Sequence, residues 1–210
     1  MRRKVVNDPR GGFTLPVHTF IPNPMKYRLP FILFFLIAAK QLTADWPQFR
    51  GPDGQGHSNE KGVPIHWAED RNITWKSAVP GQGWSSPVIA SNQVWMSSAE
   101  AEGRSLHAVC IDKTNGKLLY DVEVLTTREA GPRHRLNGYA SPTPVLDGER
   151  VYVHFGPRGT VCLDTEGGIL WKNTGFDYNV IQGAASSPIL HRDLLILTCD
   201  GIDNQFIVAL

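Results

Sequence analysis

The sequence predicts an all-β fold: an incomplete β-propeller of about three blades, each blade a four-stranded antiparallel sheet. Twenty Gly and fifteen Pro in 210 residues favour many short strands joined by tight turns over long helices. A Ser/Thr-Pro pair followed by an apolar strand recurs three times, and an Asp-to-Gly turn followed by an aromatic residue recurs twice. Radial packing of such sheets buries faces that one sheet would leave exposed. A β-sandwich also supplies many strands, but it gives no reason for the turn and its aromatic residue to repeat.

The N-terminal part has the pattern of an export signal. Residues 25–44 have two basic residues near their start, Lys26 and Arg28, then an apolar run over 29–39, and they end in the small residue Ala44, as secretory signal peptides do. The run is shorter than the ~20 residues that a membrane-spanning helix needs, so we expect no stable membrane span after cleavage. Residues 1–24 are expected to be a disordered leader or to precede the true start. The predicted location is periplasmic or extracellular.

Charge excludes one class of partner. The full chain has a formal net charge of +1, but residues 1–44 hold seven of its 21 basic and one of its 20 acidic residues. The remainder therefore carries a net charge of −5. An acidic chain has no electrostatic attraction for a phosphate backbone, so we expect no nucleic-acid partner.

Three hairpins recur along the chain after an extended segment over 45–69. They cover residues 84–98, 140–156 and 186–201, with the strand-opening prolines Pro87 and Pro144 spaced by 57 residues and Pro188 a further 44 on. Each hairpin has an apolar strand, a short polar turn and a second strand. The predicted propeller therefore spans residues 70–210.

A second unit follows the hairpins, at residues 106–120 and 160–171 and in shortened form at 206–210. In it an Asp accepts backbone N–H groups of the turn, and a Gly four residues later is expected to take a positive φ. An aromatic residue then ends the unit. The residues predicted to dock neighbouring blades in this way are Trp75, Asp112, Gly116, Tyr120, Asp164, Gly168 and Trp171.

At these residues the sequence resembles the pyrroloquinoline quinone (PQQ)-like β-propeller repeat, whose blades end in A-L-D-x-x-T-G-x-x-x-W, the tryptophan-docking motif. VCIDKTNGKLLY and VCLDTEGGILW depart from it, with Cys in the Ala position and Tyr120 for Trp in one copy. DWPQFRGPDGQG at 45–56 is similar to the W-P-x-F-R-G-P segment that opens many exported bacterial members.

The resemblance implies two kinds of function. Some members, such as the outer-membrane assembly propeller, bind proteins or ligands without a quinone, and we expect this chain to be such a scaffold. The alternative is part of a quinoprotein dehydrogenase that oxidises alcohols or sugars with PQQ and calcium. Those enzymes use a complete propeller and in many cases a disulfide between adjacent Cys, a pair that this sequence lacks.

Few residues in the sequence have the spacing of a chemical site, and none is assigned a catalytic role. The His residues match no zinc spacing, and the segment from Asp200 to Asn204 has too few carboxylates for a calcium loop, so no metal site is predicted. Cys110 and Cys162 occupy equivalent strand positions, which indicates small buried side chains rather than a disulfide. The loop Arg133 to Tyr139 is the candidate binding surface, with Arg135 and Asn137 expected to contact an anionic or polar group.

The last repeat ends at Leu210 in its third strand, before the turn and aromatic residue that the pattern leads us to expect. We therefore expect the chain to be a fragment of a propeller. Unpaired edge strands lead us to expect poor solubility or self-association of the isolated chain.

Overall fold

The computed structural model describes residues 46–210, all within the compact unit Lys40–Leu210. The leader over 1–24 and the signal pattern over 25–44 lie outside the described residues. Three antiparallel sheets follow one another along the described chain, two of four strands and one of three. In every sheet the strands are neighbours in chain order, as in propeller blades. The predicted all-β fold is confirmed.

Blade 1 contains four strands in the order of the sequence. They are β1 (Val88–Ala90), β2 (Gln93–Ala99), β3 (Ser105–Asp112) and β4 (Leu118–Thr126). The β1–β2 hairpin turns at Ser91, which takes a positive φ of 53°, the conformation that tight two-residue hairpins require.

Blade 2 repeats this order with shorter strands. They are β5 (Val145–Leu146), β6 (Arg150–His154), β7 (Thr160–Asp164) and β8 (Ile169–Asn173), with a 3₁₀ turn at Gly156–Arg158 between β6 and β7. Its first hairpin turns at Gly148, which has a φ of 96°.

Blade 3 has the first three strands of the same pattern. They are β9 (Ile189–His191), β10 (Leu194–Asp200) and β11 (Gln205–Ala209). Here Arg192 has the positive φ, at 57°.

The core lies between the faces of neighbouring sheets. Val151, Val153 and Leu163 of blade 2 pack in the cluster that blade 1 shares, whereas the intervening Tyr152 and Cys162 pack with blade 3. Alternate residues of a strand point to opposite faces, so a strand between two other blades must be apolar on both. This explains why β7 is buried over four successive residues while β8 at the outside is largely exposed.

The segment before β1 contacts the first strands of blades 1 and 2. The N–H of Trp46 donates to Ile89 O at 3.1 Å, and the N–H of Ile89 donates to Trp46 O at 2.9 Å. The next residue, Pro47, accepts a hydrogen bond from the N–H of Leu146 at 2.8 Å. The beginning of the segment predicted to be extended therefore bridges β1 and β5, the first strands of two adjacent blades.

The meander order gives the blades two unlike ends. The turns inside each hairpin, at 91–92, 147–149 and 192–193, share one end with the turns at 113–116 and 165–167; we call this end the turn face. The segments that connect blades, 127–144 and 174–188, share the other end with the turns at 100–104, 155–159 and 201–204. This second end, the connection face, carries the long irregular loops in which folds of this kind place binding residues.

Candidate functional site

The first Asp-to-Gly turn, on the turn face, connects blade 1 to the segment before β1 that carries Trp75. Asp112 Oδ1 accepts hydrogen bonds from the N–H groups of Thr114 at 2.7 Å and Asn115 at 3.1 Å. Gly116 has a φ of +74° and lies against the ring of Trp75. The indole Nε1–H of Trp75 donates to Lys113 O at 2.9 Å. Trp75 is therefore held against the turn by both packing and a hydrogen bond.

In the second turn the prediction for Gly168 was wrong. Asp164 Oδ1 accepts from the N–H groups of Glu166 at 2.9 Å and Gly168 at 2.7 Å, but the positive φ, +85°, belongs to Gly167 and not to Gly168. The reason is that this turn is one residue shorter than the first, so Gly167 corresponds to Gly116. The ring of Tyr120 lies beside Gly167, so the aromatic residue of one blade contacts the glycine of the next.

The remaining repeat residues are Trp171, which is partly exposed, and the cysteines, which are buried. Trp171 is 36% exposed and contacts Tyr152 of its own blade, with ring centroids 6.1 Å apart. Cys110, Cys162 and Cys199 are buried and free. Burial raises the pKa of the Cys110 thiol to about 12 and that of Cys162 to about 11, which makes both thiols poor nucleophiles.

A hydroxyl ladder links the residues just before the first strands of the three blades, β1, β5 and β9, and it was not predicted from the sequence. Thr143 Oγ1 accepts a hydrogen bond from the N–H of Ser86 at 3.1 Å, and Ser187 Oγ accepts one from the N–H of Thr143 at 2.9 Å. All three residues directly precede the prolines that open the hairpins. The recurring Ser/Thr-Pro was the available signal, but its role depends on which segments lie side by side.

Asn137, one of the two predicted ligand contacts, is engaged within the connection face. Its Nδ2–H donates to Gln182 O at 2.7 Å, and its Oδ1 accepts from the N–H of Gly138 at 2.8 Å and from Ser141 Oγ at 2.5 Å. The side chain therefore joins the two interblade segments. Arg135, the other predicted contact, is exposed and lines a cavity of about 200 Å³.

Two further arginines lie next to that cavity, around one tyrosine. The guanidinium carbons of Arg133 and Arg158 are 4.8 Å and 5.2 Å from the centre of the Tyr139 ring, within the range of cation–π attraction. Arg133 donates from Nη1 to Asn137 O at 2.9 Å, but its Nε is buried and has no hydrogen-bond partner in the described structure. Burial lowers the pKa of Arg158, because it removes water from the cation, and Tyr139 partly offsets this.

No carboxylate forms an ion pair with Arg133, Arg135 or Arg158 within the described residues. The buried Nε of Arg133 is left without a hydrogen bond to any described residue, a state that costs about 1–3 kcal/mol. We refer to these three residues as the arginine cluster.

Trp84 lies where this cavity meets two larger ones. Its side chain lines the cavity of about 200 Å³ beside the arginine cluster, a second of about 430 Å³ against β2, and a third of about 400 Å³ beside the hydroxyl ladder. The residue is 68% exposed. The third cavity is also lined by the hydroxyl residues of the ladder and by Phe49. Aromatic faces beside donors and acceptors are typical of ligand sites.

A fourth cavity, of about 260 Å³, lies between blades 2 and 3 and is lined by His154, Tyr178 and Asp200 among others. His154 is buried, its Nδ1 lies 2.8 Å from Thr160 Oγ1, and burial lowers its pKa to about 4. The imidazole is therefore neutral at pH 7. Burial also raises the pKa of Tyr178 far above its usual value, so this cavity has no charged wall besides Asp200.

The structure brings together Ser105, His107 and Asp121, which spacing along the sequence did not reveal. Ser105 Oγ is 2.8 Å from His107 Nε2, and His107 Nδ1 is 2.8 Å from Asp121 Oδ1, the connectivity of a serine-hydrolase triad. The Ser105 hydroxyl, however, donates to the carboxylate of Glu123, and Ser105 is buried and lines none of the four cavities. A nucleophile must reach its substrate, so this group is a polar network that fastens β3 to β4.

The described residues do not fit the calcium that quinoproteins require. They contain no group of three or more His, Cys, Asp or Glu side chains placed to hold a metal ion, whereas calcium takes six to eight oxygens including carboxylates. Asp203, in the segment from Asp200 to Asn204, accepts hydrogen bonds from the N–H groups of Asn179 and Asn204, both at 2.8 Å. These donors lower the pKa of Asp203, and the carboxylate fixes a loop.

Among the described residues, no helix has the length and apolar character to cross a membrane.

Comparisons with known proteins identify similar structures only. No family model and no curated protein sequence matches the chain. A europium-containing methanol dehydrogenase matches at 12% identity with a TM-score of 0.45, covering 61% of this chain and 23% of that one. The quinohemoprotein alcohol dehydrogenase ADHIIG from Pseudomonas putida HK5 matches at 15% identity with a TM-score of 0.46, covering 65% of this chain and 20% of that one.

BamB from Moraxella catarrhalis matches at 14% identity with a TM-score of 0.42, covering 65% of this chain and 39% of BamB. The chain thus spans only 20% to 39% of the length of these three structures. Likeness at this level carries no information on activity.

Proposed function

We propose that the chain is an exported PQQ-like β-propeller that acts as a protein- or ligand-binding scaffold through its connection face. The observation that carries this proposal is Trp84, a largely exposed indole at the junction of three cavities. An exposed Trp costs free energy in water and is among the residue types that contribute most to binding interfaces. Its backbone is held firmly, since the N–H of Trp84 donates to Ala140 O at 3.0 Å.

A scaffold is favoured over the dehydrogenase because no described residue supports the second function. The described carboxylates do not form a calcium site, and in the Ser-His-Asp group of the described chain Ser105 is buried and donates to Glu123. What the connection face offers is aromatic surface, hydroxyls and cations, which bind but do not transfer hydride.

Binding is tested by selecting random heptapeptides displayed on phage against the purified chain, with the W84A variant as the counter-target. We expect peptides that bind the wild type and lose at least tenfold in affinity for W84A, since truncating a central Trp in an interface commonly costs 2 kcal/mol or more. The control is E149A on the turn face, which should bind as the wild type does. Peptides that bind W84A equally well would refute a site at Trp84.

Export is a separate part of the proposal and has its own test. N-terminal sequencing of the protein recovered from the periplasmic or culture fraction should begin at Asp45, after the predicted signal over 25–44. Recovery only from the cytoplasm would refute export. The extended segment over 45–69 and the fragment of a longer propeller stay predictions, and the reading frame beyond the codon for Leu210 tests the latter.

A further inference from the structure

The arginine cluster concentrates positive charge on a chain that is otherwise acidic. Arg133, Arg135 and Arg158 come from the first interblade segment and from the turn between β6 and β7, so they converge on the connection face from two parts of the fold. Residues 45–210 carry a net charge of −5. Arg104 and Arg150 have the carboxylate partners Glu102 and Asp147, whereas the three arginines of the cluster have none among the described residues. The cluster is therefore a local exception to the charge of its surroundings.

One donor of Arg133, the Nε–H group, has no hydrogen-bond acceptor among the described residues. Its Nη1 is used by Asn137 O and its guanidinium faces Tyr139, which fixes the side chain, yet the Nε is buried without an acceptor. Buried polar atoms in folded proteins are nearly always paired. Arg133 also lines the cavity of about 200 Å³, and planar carboxylates suit the fork of a guanidinium.

The cavity beside the cluster fits a carboxylate carried on a peptide better than a free inorganic anion. Its volume is about 200 Å³, and Trp84 forms one wall. Leu136, on the same loop, is as exposed as Trp84, at 68%. The site thus offers apolar surface next to cations, which matches the mixed side chains of a peptide. Arg133 and Arg135 line the cavity together with one acid, Glu100. Arg158 lies against the ring of Tyr139, which is part of the cavity wall.

We infer that the arginine cluster and Trp84 together bind an acidic peptide segment, with an Asp or Glu carboxylate accepting from Arg133. This inference rests on the proposed function and names the chemistry of its partner. The carboxylate of the peptide lies over the cavity, and an apolar side chain next to it in the peptide packs on Trp84. Arg158 contributes through its charge, and Arg135 at the exposed rim contributes less, because solvent screens it.

Fluorescence anisotropy with two labelled peptides tests the inference on the full chain. The probes are fluorescein-Gly-Leu-Glu-Glu-Leu-Gly and the same peptide with Gln in place of both Glu. We expect the Glu peptide to bind at least tenfold more tightly than the Gln peptide, and its Kd to rise with added salt. Equal affinity for the two peptides would overturn the inference.

Variants locate the site and inorganic phosphate identifies the class of anion. R133Q and R158Q should each weaken the Glu peptide about tenfold or more, R135Q a few-fold, and the control R150Q on the turn face not at all. Circular dichroism verifies the fold of each variant, and R135Q, on an exposed loop, gives a result even where R133Q is destabilised. Losses no larger than that of R150Q would contradict the assignment. Binding of phosphate at 10 mM in the absence of Glu-peptide binding would show a small-anion site and overturn it as well.

The two proposals fail differently. If the phage selection yields Trp84-dependent peptides without an excess of Asp and Glu, the scaffold stands and the acidic partner is wrong. If no Trp84-dependent peptide is found, the scaffold itself is refuted.

Discussion

The hydroxyl ladder predicts that one side-chain oxygen stabilises the contact between blades 1 and 2. Thr143→Val keeps the shape and the methyl group of Thr143 but removes the oxygen that accepts the N–H of Ser86 at 3.1 Å. Thr143 is buried, and Ser86 is half-buried, so water can replace only part of the lost bond. A lost hydrogen bond costs about 0.5–1.5 kcal/mol and a stranded buried donor about 1–3 kcal/mol. The partial burial of Ser86 places the expected loss at about 1–2 kcal/mol.

Thermal and urea unfolding followed by circular dichroism measure this loss. For a domain of this size 1 kcal/mol lowers Tm by about 2–4 °C, so we expect a fall of about 2–8 °C. Hydrogen exchange supplies the local readout, because the Ser86 amide should exchange faster in T143V and stay protected in T143S, which retains the oxygen. T126V, at an exposed threonine at the end of β4, is the matched control and should change stability by less than about 0.5 kcal/mol. A T143V protein as stable as the wild type, with the Ser86 amide still protected, would refute the reasoning.

Three further predictions follow from the structure. Gly116→Ala forces a side chain into a φ of +74° and brings its Cβ within 2.7 Å of the Trp75 ring, so we expect a loss of about 2–3 kcal/mol in urea unfolding; the loss should shrink on a W75A background, and an unchanged loss would show that Trp75 is not the obstacle. His154 is held neutral with a pKa of about 4 against 6.5 when unfolded, so the unfolded chain binds more protons between these values and stability falls as pH falls from 6.5 toward 4, by on the order of 2–3 kcal/mol; His154→Asn should lack this part of the pH dependence, and the same slope in both proteins would contradict it. Cys110, Cys162 and Cys199 should react slowly with a thiol reagent in the native protein and completely after denaturation, because all three are buried with raised pKa values; fast native labelling of any of them would argue against the burial described.

The glycine of the second docking turn shows how far the repeat could be aligned from letters alone. Spacing from the Asp led us to predict Gly168 as the glycine with a positive φ, because Gly116 also lies four residues after its Asp, and this put the missing residue after the glycine. Only the backbone, with its φ of +85° at Gly167, places the deletion before the glycine. The same holds for Ser105, His107 and Asp121, since they become neighbours through the register of β3 and β4.

The candidate site contains some residues that the sequence indicated and others that only the structure brings together. Arg135 and Asn137 drew attention because they lie on a long polar loop between strands, which is a local property. Trp84, Arg133 and Arg158 did not, because their meaning depends on which loops meet at the connection face. Arg158 lies in a 3₁₀ turn of blade 2 and reaches Tyr139 of the preceding interblade segment.

By itself the sequence determined the all-β class, the blade repeat and the turn chemistry, because these follow from periodicity and from residues whose conformational preferences are local. The tertiary structure alone decided which hydroxyl accepts which amide between blades, which aromatic ring covers which glycine, and which cations remain without acids. These are contacts between residues far apart in the chain. Their distances are fixed only when the sheets pack face to face, and no short-range pattern in the sequence encodes that packing.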